Sequence, residues 1–141
     1  MTSKRVYVDH LKNVPLFSGL ARKQLERVAI AGQELLVKDK TVVMEQGTRG
    51  REAYLIIEGV LQVRRNGRKV ATLGPGAIVG ELSLFDSAGR SATVIAIADC
   101  RLFVLNAADF RAVMADVPEV SHRVLASLAY RIRGLEKSVL D

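Results

Sequence analysis

The side chains of this chain that could do chemistry are concentrated in one short stretch. Gly80-Glu81-Leu82-Ser83-Leu84 predicts a single helical turn entered through glycine. Such a turn presents free backbone N–H groups and a positive dipole end, which together favour a phosphate. Arg90 supplies a guanidinium that can grip two phosphate oxygens at once. Ser91 adds a hydroxyl, and the N–H groups of Ser91 and Ala92 offer further donors.

The acidic residue of this stretch narrows the class of ligand. A carboxylate beside a phosphate is repulsive unless the ligand also donates a hydrogen bond to it. Glu81 therefore indicates a ligand that carries a hydroxyl, such as a ribose 2′-OH. The residue types alone thus predict a site for a sugar phosphate.

Length and composition are those of an ordinary soluble domain. With 141 residues, 49% hydrophobic and 26% charged, the chain can bury one core but is too short for two domains of usual size. The net charge of +6 indicates an anionic partner: nucleic acid, a membrane surface or a phosphorylated small molecule. A solvated surface explains the same excess equally well. No apolar run approaches the roughly 18 residues of a membrane span, and the charged N-terminus lacks a secretion signal, so we expect a cytoplasmic protein.

Metal and redox chemistry are not expected. Cys100 is the single cysteine and lies in an apolar, strand-like stretch, which favours a buried, inert thiol. His10 and His122 are far apart in sequence, which argues against a histidine-based metal site or catalytic triad. We therefore expect neither an enzyme nor a cofactor.

The elements that must position the site fall into three zones. A helical zone from 8 to 31 should begin its main helix with Ser18 as N-cap and end at Gly32. From 33 to 105 the sequence predicts about eight short strands, arranged as a barrel or sandwich. Asn66-Gly67 is the strongest hairpin signal, because that turn needs a positive φ at both central positions. The basic run around it, 64–69, is interpreted as a solvated hairpin tip.

The third zone is helical again. Asn106 and Asp109 form a capping pair, and Pro118 suits the first residue of a second helix that runs to about Val139. Apolar residues in this helix are spaced three, four, three and four apart, which is typical of a coiled-coil seam and favours a homodimer. The alternative is that the stripe packs against its own chain. This heptad seam consists of Leu125, Leu128, Ile132, Leu135 and Val139.

Two of these segments carry a family resemblance. The stretches 80–84 and 90–94 together resemble the phosphate-binding cassette of cyclic nucleotide-binding domains. The resemblance extends from Leu11 to about Leu140 and includes an N-terminal helix entry at 14–20. It implies a mainly β fold: an eight-stranded jelly-roll barrel with short N-terminal helices and a long C-terminal helix. Further matches are Gly47, Gly50, Tyr54, Ile56 and Gly59.

The domain that the resemblance implies covers 1–141 as a single unit. It comprises an N-terminal helical part at 8–32, the strands at 33–105 and C-terminal helices at 106–141. Within the strands, the cassette occupies 80–93.

The resemblance also assigns roles within the cassette. Glu81 would hold the ribose hydroxyl, Arg90 the exocyclic phosphate oxygens, and the Gly80–Ser83 turn the other side of the phosphate. Val63 would line the base pocket. The complete set of implied ligand-binding residues is Gly80, Glu81, Leu82, Ser83, Arg90, Ser91, Ala92, Val63, Val79 and Arg133.

Some positions depart from the family pattern. Gly89 stands where proline is common, and Val79 where an aromatic residue is common. The threonine-serine pair that touches adenine in the bacterial catabolite activator is replaced by Leu135-Glu136. The C-terminal helix often covers the base in this family, so lid candidates are Arg131, Arg133, Leu135 and Glu136.

The sequence thus predicts a regulatory module that binds a cyclic nucleotide, cyclic AMP rather than cyclic GMP, with the ligand coupled to the C-terminal helix. One alternative is the sensor half of a catabolite-activator-type transcription regulator, without the recognition helix that DNA readout needs. Another is a barrel that has lost nucleotide binding. A metal-dependent cupin enzyme is disfavoured because both histidines lie outside the strands.

Overall fold

The computed structural model describes the backbone of residues 4–140 and the side chains of residues 5–137. These residues form two compact units. One consists of the segment up to Ile30 together with the segment from Ala112 onward, and the other of Ala31–Arg111. The prediction of one domain over 1–141 stays a prediction.

Helices occur at both ends of the chain. The helix Ala107–Asp116 contributes residues to both units, because the boundary between the units lies between Arg111 and Ala112. The helices are α1 (Lys4–Leu11), α2 (Arg22–Ala31), α3 (Ala107–Asp116) and α4 (Pro118–Leu140), with a 3-10 helix at Pro15–Phe17 between α1 and α2.

The N-terminal helical zone differs from the sequence-based expectation in one respect. Ser18 is not the N-cap of α2: its hydroxyl donates to the Pro15 carbonyl at 2.9 Å and closes the 3-10 helix. The Gln24 side chain takes the capping role, since its Oε1 accepts a hydrogen bond from the Ala21 N–H at 2.8 Å. Pro15 explains why α1 does not continue into the 3-10 helix, because the residue before a proline avoids the helical conformation. The predicted stop at Gly32 is confirmed, as α2 ends at Ala31.

The second unit is built from eight antiparallel strands in two four-stranded sheets. The prediction of a mainly β fold with flanking helices is confirmed, whereas a single jelly-roll barrel fits the two separate sheets only loosely. The strands are β1 (Gln33–Val37), β2 (Val42–Met44), β3 (Glu52–Glu58), β4 (Leu61–Arg65), β5 (Arg68–Leu73), β6 (Ile78–Val79), β7 (Thr93–Ala96) and β8 (Cys100–Asn106).

The sheet order decides which loops meet. One sheet runs β1-β8-β3-β6 and the other β2-β7-β4-β5. β3 pairs with β6, which leads into the cassette, and β4 pairs with β7, which leaves it. Both ends of the cassette are thereby fixed to neighbouring strands. The core cluster takes residues from both sheets: Met44, Tyr54, Ile56, Leu61, Val79, Val94, Ala96, Cys100 and Leu102.

Two local predictions in the β unit are confirmed. Asn66 and Gly67 have φ values of +54° and +79°, the two positive angles that a tight hairpin turn requires. Cys100 is buried, and its Sγ lies 3.3 Å from the Ala98 carbonyl oxygen. β6 is a strand that the sequence did not predict: its two residues follow a glycine-proline turn, and pairing with β3 rather than local propensity defines them.

The C-terminal helices begin as the sequence indicates. Asn106 Oδ1 accepts a hydrogen bond from the Ala108 N–H at 2.8 Å, and Pro118 is the first residue of α4. Within the described residues, no helix is long and apolar enough to span a membrane.

The heptad seam of α4 is largely uncovered. Leu125, Ile132 and Leu135 are 61%, 56% and 69% exposed. Leu128 is half-buried, and the side chain of Val139 lies outside the described residues. The pairing of this stripe with a second copy stays a prediction.

Candidate ligand-binding site

The centre of the cassette is a buried arginine. Arg90 is only 6% exposed, although a guanidinium is a charged group that usually lies at the surface. Its Nη1 donates to Ser83 Oγ at 2.9 Å, and its Nη2 donates to the Glu52 carbonyl oxygen at 2.9 Å. These two bonds connect the end of the cassette to the 3-10 helix Glu81–Leu84, here called the cassette turn, and to the start of β3.

Backbone hydrogen bonds fix the same arginine from the other side. The Arg90 N–H donates to the Thr48 carbonyl at 2.7 Å, and the Gly47 N–H donates to the Arg90 carbonyl at 2.9 Å. Arg49 and Gly89 form an isolated antiparallel bridge beside them. The loop before β3 therefore holds the backbone of Arg90 as a strand neighbour would.

Two glycines make room for the guanidinium. A Cβ on Gly50 would overlap the Nε, Cζ and Nη2 atoms of Arg90. A Cβ on Gly80 would lie 2.6 Å from Arg90 Nη1, and Gly80 also has a φ of +77°, which favours glycine. Both positions are thus shaped around one side chain.

Within the described residues, Arg90 has no carboxylate at contact distance. Both of its side-chain hydrogen-bond acceptors are neutral, and no carboxylate oxygen of these residues lies within 4.0 Å of its nitrogens. A buried charge without a paired anion is costly, so the site favours an anionic ligand. The field of Arg90 reaches Tyr54: burial and Glu52 raise the pKa of the Tyr54 phenol above its ordinary 10.0, and Arg90 opposes that rise.

A cavity of about 280 Å3 opens beside the guanidinium. The structure brings six of the ten sequence-predicted site residues together around it: Gly80, Glu81, Leu82, Ser83, Arg90 and Ser91. Met44, Asp86, Ala88 and Gly89 complete its lining. A cationic donor, a carboxylate and a hydroxyl thus share one pocket, which is the set that a sugar phosphate requires.

The remaining four predicted site residues lie elsewhere. Ala92 is buried directly before β7. Val63 is half-buried and pairs with Val94 across the second sheet, and Val79 is buried in the core cluster. Arg133 is exposed on α4, in the other compact unit. Their roles toward a ligand stay predictions.

Sequence reasoning missed several contributors. The Glu52 carbonyl, which accepts from Arg90, has no side-chain signature. Met44 and Asp86 line the cavity but fall outside the cassette pattern. Gly50 was recognisable as a glycine of the family pattern, yet its contact with Arg90 could not be read from spacing.

Comparison with known proteins identifies the family of this chain. The sequence model described as "Cyclic nucleotide-binding domain" matches residues 34–117, more than half of the chain. The chain belongs to the cyclic nucleotide-binding domain family. The expected family resemblance is therefore confirmed.

Two named relatives of this cyclic nucleotide-binding domain are a receptor protein and a kinase regulatory subunit. The "Cyclic AMP receptor protein" of Thermus thermophilus is 34% identical over 128 residues, covering 87% of this chain and 59% of that protein. A "cAMP-dependent protein kinase regulatory subunit" of Schizosaccharomyces pombe is 36% identical over 92 residues, covering 64% of this chain and 22% of that protein. The chain thus spans less than two thirds of the length of these relatives.

A solved structure shares the whole fold. The N-terminal domain of a transcriptional regulator from Streptomyces coelicolor matches with a TM-score of 0.88 and 30% identity, covering 94% of this chain and 96% of that one. The cyclic nucleotide-binding domain described here is therefore similar in fold to that N-terminal domain.

Proposed function

We propose that this domain binds a cyclic nucleotide, with cyclic AMP preferred over cyclic GMP, as a sensor module without catalysis. The observation that carries the proposal is the buried Arg90 guanidinium, which has neutral hydrogen-bond partners and faces the same cavity as Glu81. An anionic phosphate would supply the missing counter-charge.

Each cassette group has a distinct task in this proposal. Two of the five guanidinium N–H groups of Arg90 donate to Ser83 and Glu52, which leaves donors for the exocyclic phosphate oxygens. The Gly80–Ser83 turn lines the cavity and would contact the other side of the phosphate. Ser91 adds its hydroxyl, and the N–H groups of Ser91 and Ala92 would donate as well.

Glu81 separates a nucleotide from a simple phosphate. Its carboxylate lines the same cavity as Arg90. In this proposal it accepts a hydrogen bond from the ribose 2′-OH, a group that a simple phosphate lacks. The proposed ligand therefore carries a phosphate and a hydroxyl on one small framework.

The base preference rests on the relatives. Two of them carry cyclic AMP in their names, which favours adenine. Val63 would line the base, and Arg133 on α4 would cover it as part of a lid. Both assignments are proposals that follow from the family pattern.

Assembly is a further part of the proposal. The exposed heptad seam would pair with the same seam of a second copy as a coiled coil, which would bury its apolar side chains. The 59% coverage of the Thermus receptor and the match to a regulator's N-terminal domain favour a sensor part of a longer transcription regulator as the second candidate.

Calorimetric titration of the 141-residue chain with cyclic AMP and cyclic GMP tests the binding proposal. We expect heat with cyclic AMP at least as tight as with cyclic GMP, and loss of both signals in Arg90→Ala. Absence of heat and of a melting shift at millimolar nucleotide would instead indicate a domain that has lost ligand binding.

A further inference from the structure

The β4–β5 hairpin connects a second arginine to a residue that lines the cavity. Arg65 is the last residue of β4, and its Nε donates to the Ser91 carbonyl oxygen at 3.1 Å. Ser91 directly follows Arg90 and lines the cavity of about 280 Å3. Arg65 is therefore anchored to the residue next to the buried guanidinium.

The hairpin tip that carries Arg65 is held in place by other contacts. The Gln46 side-chain amide and Asn66 exchange two hydrogen bonds, each 2.9 Å long. The Gln46 backbone N–H also donates to Thr93 Oγ1 at 2.9 Å, which connects the same loop to the start of β7. These contacts and the bond to Ser91 hold Arg65 in one position, so little entropy remains to be lost when it makes a further contact.

The guanidinium of Arg65 keeps most of its donors. Within the described part of the chain, no carboxylate oxygen lies within 4.0 Å of its nitrogens, and the bond from Nε to Ser91 is the single side-chain hydrogen bond it makes. Its side chain is exposed rather than packed in the core. Four N–H groups on the two Nη atoms therefore remain for an external acceptor.

The neighbouring arginine provides a contrast. Arg64 donates from Nη1 to Gln62 Oε1 at 2.8 Å and from Nη2 to the Gly67 carbonyl at 3.2 Å. Successive side chains of a strand point to opposite faces, so Arg64 and Arg65 point in different directions. Arg64 donates to residues of its own hairpin, whereas Arg65 donates to Ser91 of the cassette.

We propose that Arg65 is a second cationic contact to the phosphate of the bound nucleotide, made through its Nη groups. This inference rests on the proposed function. A phosphate held by Arg90 and Ser91 would lie beside the anchor point of Arg65, and a guanidinium tethered through Nε can donate from Nη to the exocyclic oxygen on that side. The ligand phosphate is thus bound by the buried guanidinium of Arg90 and the exposed guanidinium of Arg65. The positive charge of Arg65 also attracts the anion from solution.

The test compares Arg65→Ala with Arg64→Ala in calorimetric titrations with cyclic AMP. Each variant removes one positive charge from the same hairpin, so long-range electrostatics change equally. Loss of a hydrogen bond to a charged group predicts a roughly 5- to 30-fold weaker Kd for Arg65→Ala, and a change below about twofold for Arg64→Ala. Arg65→Gln, which keeps a polar side chain without the charge, replaces Arg65→Ala if the latter melts far below the wild type.

A second arm identifies the ligand atom that is contacted. The Sp and Rp phosphorothioate analogues of cyclic AMP replace one or the other exocyclic oxygen with sulfur. A direct contact predicts that the ratio of Sp to Rp affinity changes between the wild type and Arg65→Ala, because the variant and the ligand change act on the same hydrogen bond. A loss that is equal for both analogues would place the contact of Arg65 away from the phosphate and overturn the inference.

The outcomes separate this inference from the proposed function. If the wild type binds cyclic AMP and Arg65→Ala matches Arg64→Ala, the inference is wrong and the proposed function stands. If the wild type binds no cyclic nucleotide, both are wrong. Weakening that is confined to Arg65 variants, with an altered Sp to Rp ratio, supports both.

Discussion

Replacing Gly50 with alanine should disable the site, although Gly50 itself makes no proposed ligand contact. The added Cβ would overlap the Arg90 guanidinium, so the side chain must leave its place. Arg90 would then lose its hydrogen bonds to Ser83 Oγ and the Glu52 carbonyl, both 2.9 Å long. A hydrogen bond from a charged group contributes about 1.5–3 kcal/mol, so we expect a clear loss of stability together with at least about thirty-fold weaker nucleotide binding.

Thermal melting of the ligand-free chain and calorimetry with cyclic AMP measure the two effects. The two lost bonds together amount to about 3–6 kcal/mol. For a chain of this size, each 1 kcal/mol lowers Tm by roughly 2–4 °C, so a fall of roughly 6–24 °C is expected. Gly74→Ala is the matched control, because a Cβ there meets nothing within 4 Å. Its stability should stay within about 0.5 kcal/mol of the wild type.

A double-mutant cycle decides whether the reasoning is correct. In an Arg90→Ala background the overlapping atoms are gone, so Gly50→Ala should then cost less than about 0.5 kcal/mol. If Gly50→Ala destabilises the protein equally in both backgrounds, the contact between Gly50 and Arg90 is not the cause and the argument fails.

Three further predictions concern single groups of the site. Arg90→Ala should weaken cyclic AMP binding by ~2–5 kcal/mol, roughly thirty- to several-thousand-fold. Arg90→Lys should also lose affinity, because an ammonium cannot form the two-pronged contact. Near-normal affinity of either variant in calorimetry would place the phosphate elsewhere. Glu81→Ala should weaken binding less and abolish the preference for cyclic AMP over its 2′-deoxy analogue; equal losses for both ligands would contradict the ribose assignment. Because burial, with Glu52, raises the pKa of Tyr54 in the folded state above 10.0, its phenol stabilises the fold below about pH 10, and that stability is lost as pH rises further. The free energy of unfolding, measured by denaturation at a series of alkaline pH values, should therefore fall more steeply with pH for the wild type than for Tyr54→Phe. An identical pH dependence for the two proteins would contradict the raised pKa.

Local rules were sufficient to predict the parts of the site that are close in sequence. The cassette turn and Arg90 are separated by a few residues, and the turn and strand signals around them place both at one cavity. The Asn66-Gly67 turn and the Asn106 cap were predicted for the same reason, since each depends on its own backbone.

Contacts between distant segments could not be predicted in this way. Gly50 and Glu52 meet Arg90 only because the sheets bring β3 and the end of the cassette together. β6 exists as a strand because it pairs with β3, so its two residues carry no periodic signal. Ser18 was wrongly assigned as the α2 cap, because local preference cannot distinguish the end of a 3-10 helix from the start of the next helix.

The last prediction concerns how binding would reach α4. Phe85, directly after the cassette turn, packs edge-on against Phe110 of α3, with ring centroids 5.9 Å apart and an interplanar angle of 85°. Phe110 is fully buried, and α3 continues through Asp116 to the start of α4 at Pro118. A ligand that orders the cassette turn would therefore restrain α3 through this aromatic pair, and α3 leads directly into the helix with the heptad seam.

Hydrogen exchange with and without cyclic AMP tests this relay. A ligand shifts an equilibrium only by its differential affinity for two states, so a relay requires that the bound state restrain α4 more than the free state does. We expect increased protection in 81–93 and also in 121–137 of the wild type. Phe85→Ala should keep the cassette response and lose most of the helix response, because the aromatic pair contributes about 0.5–1.5 kcal/mol. Leu128→Glu should break a seam-mediated dimer in light scattering while the cassette still responds. Exchange that changes in the cassette alone, or a helix response that survives Phe85→Ala, would show that α4 does not receive the signal through α3.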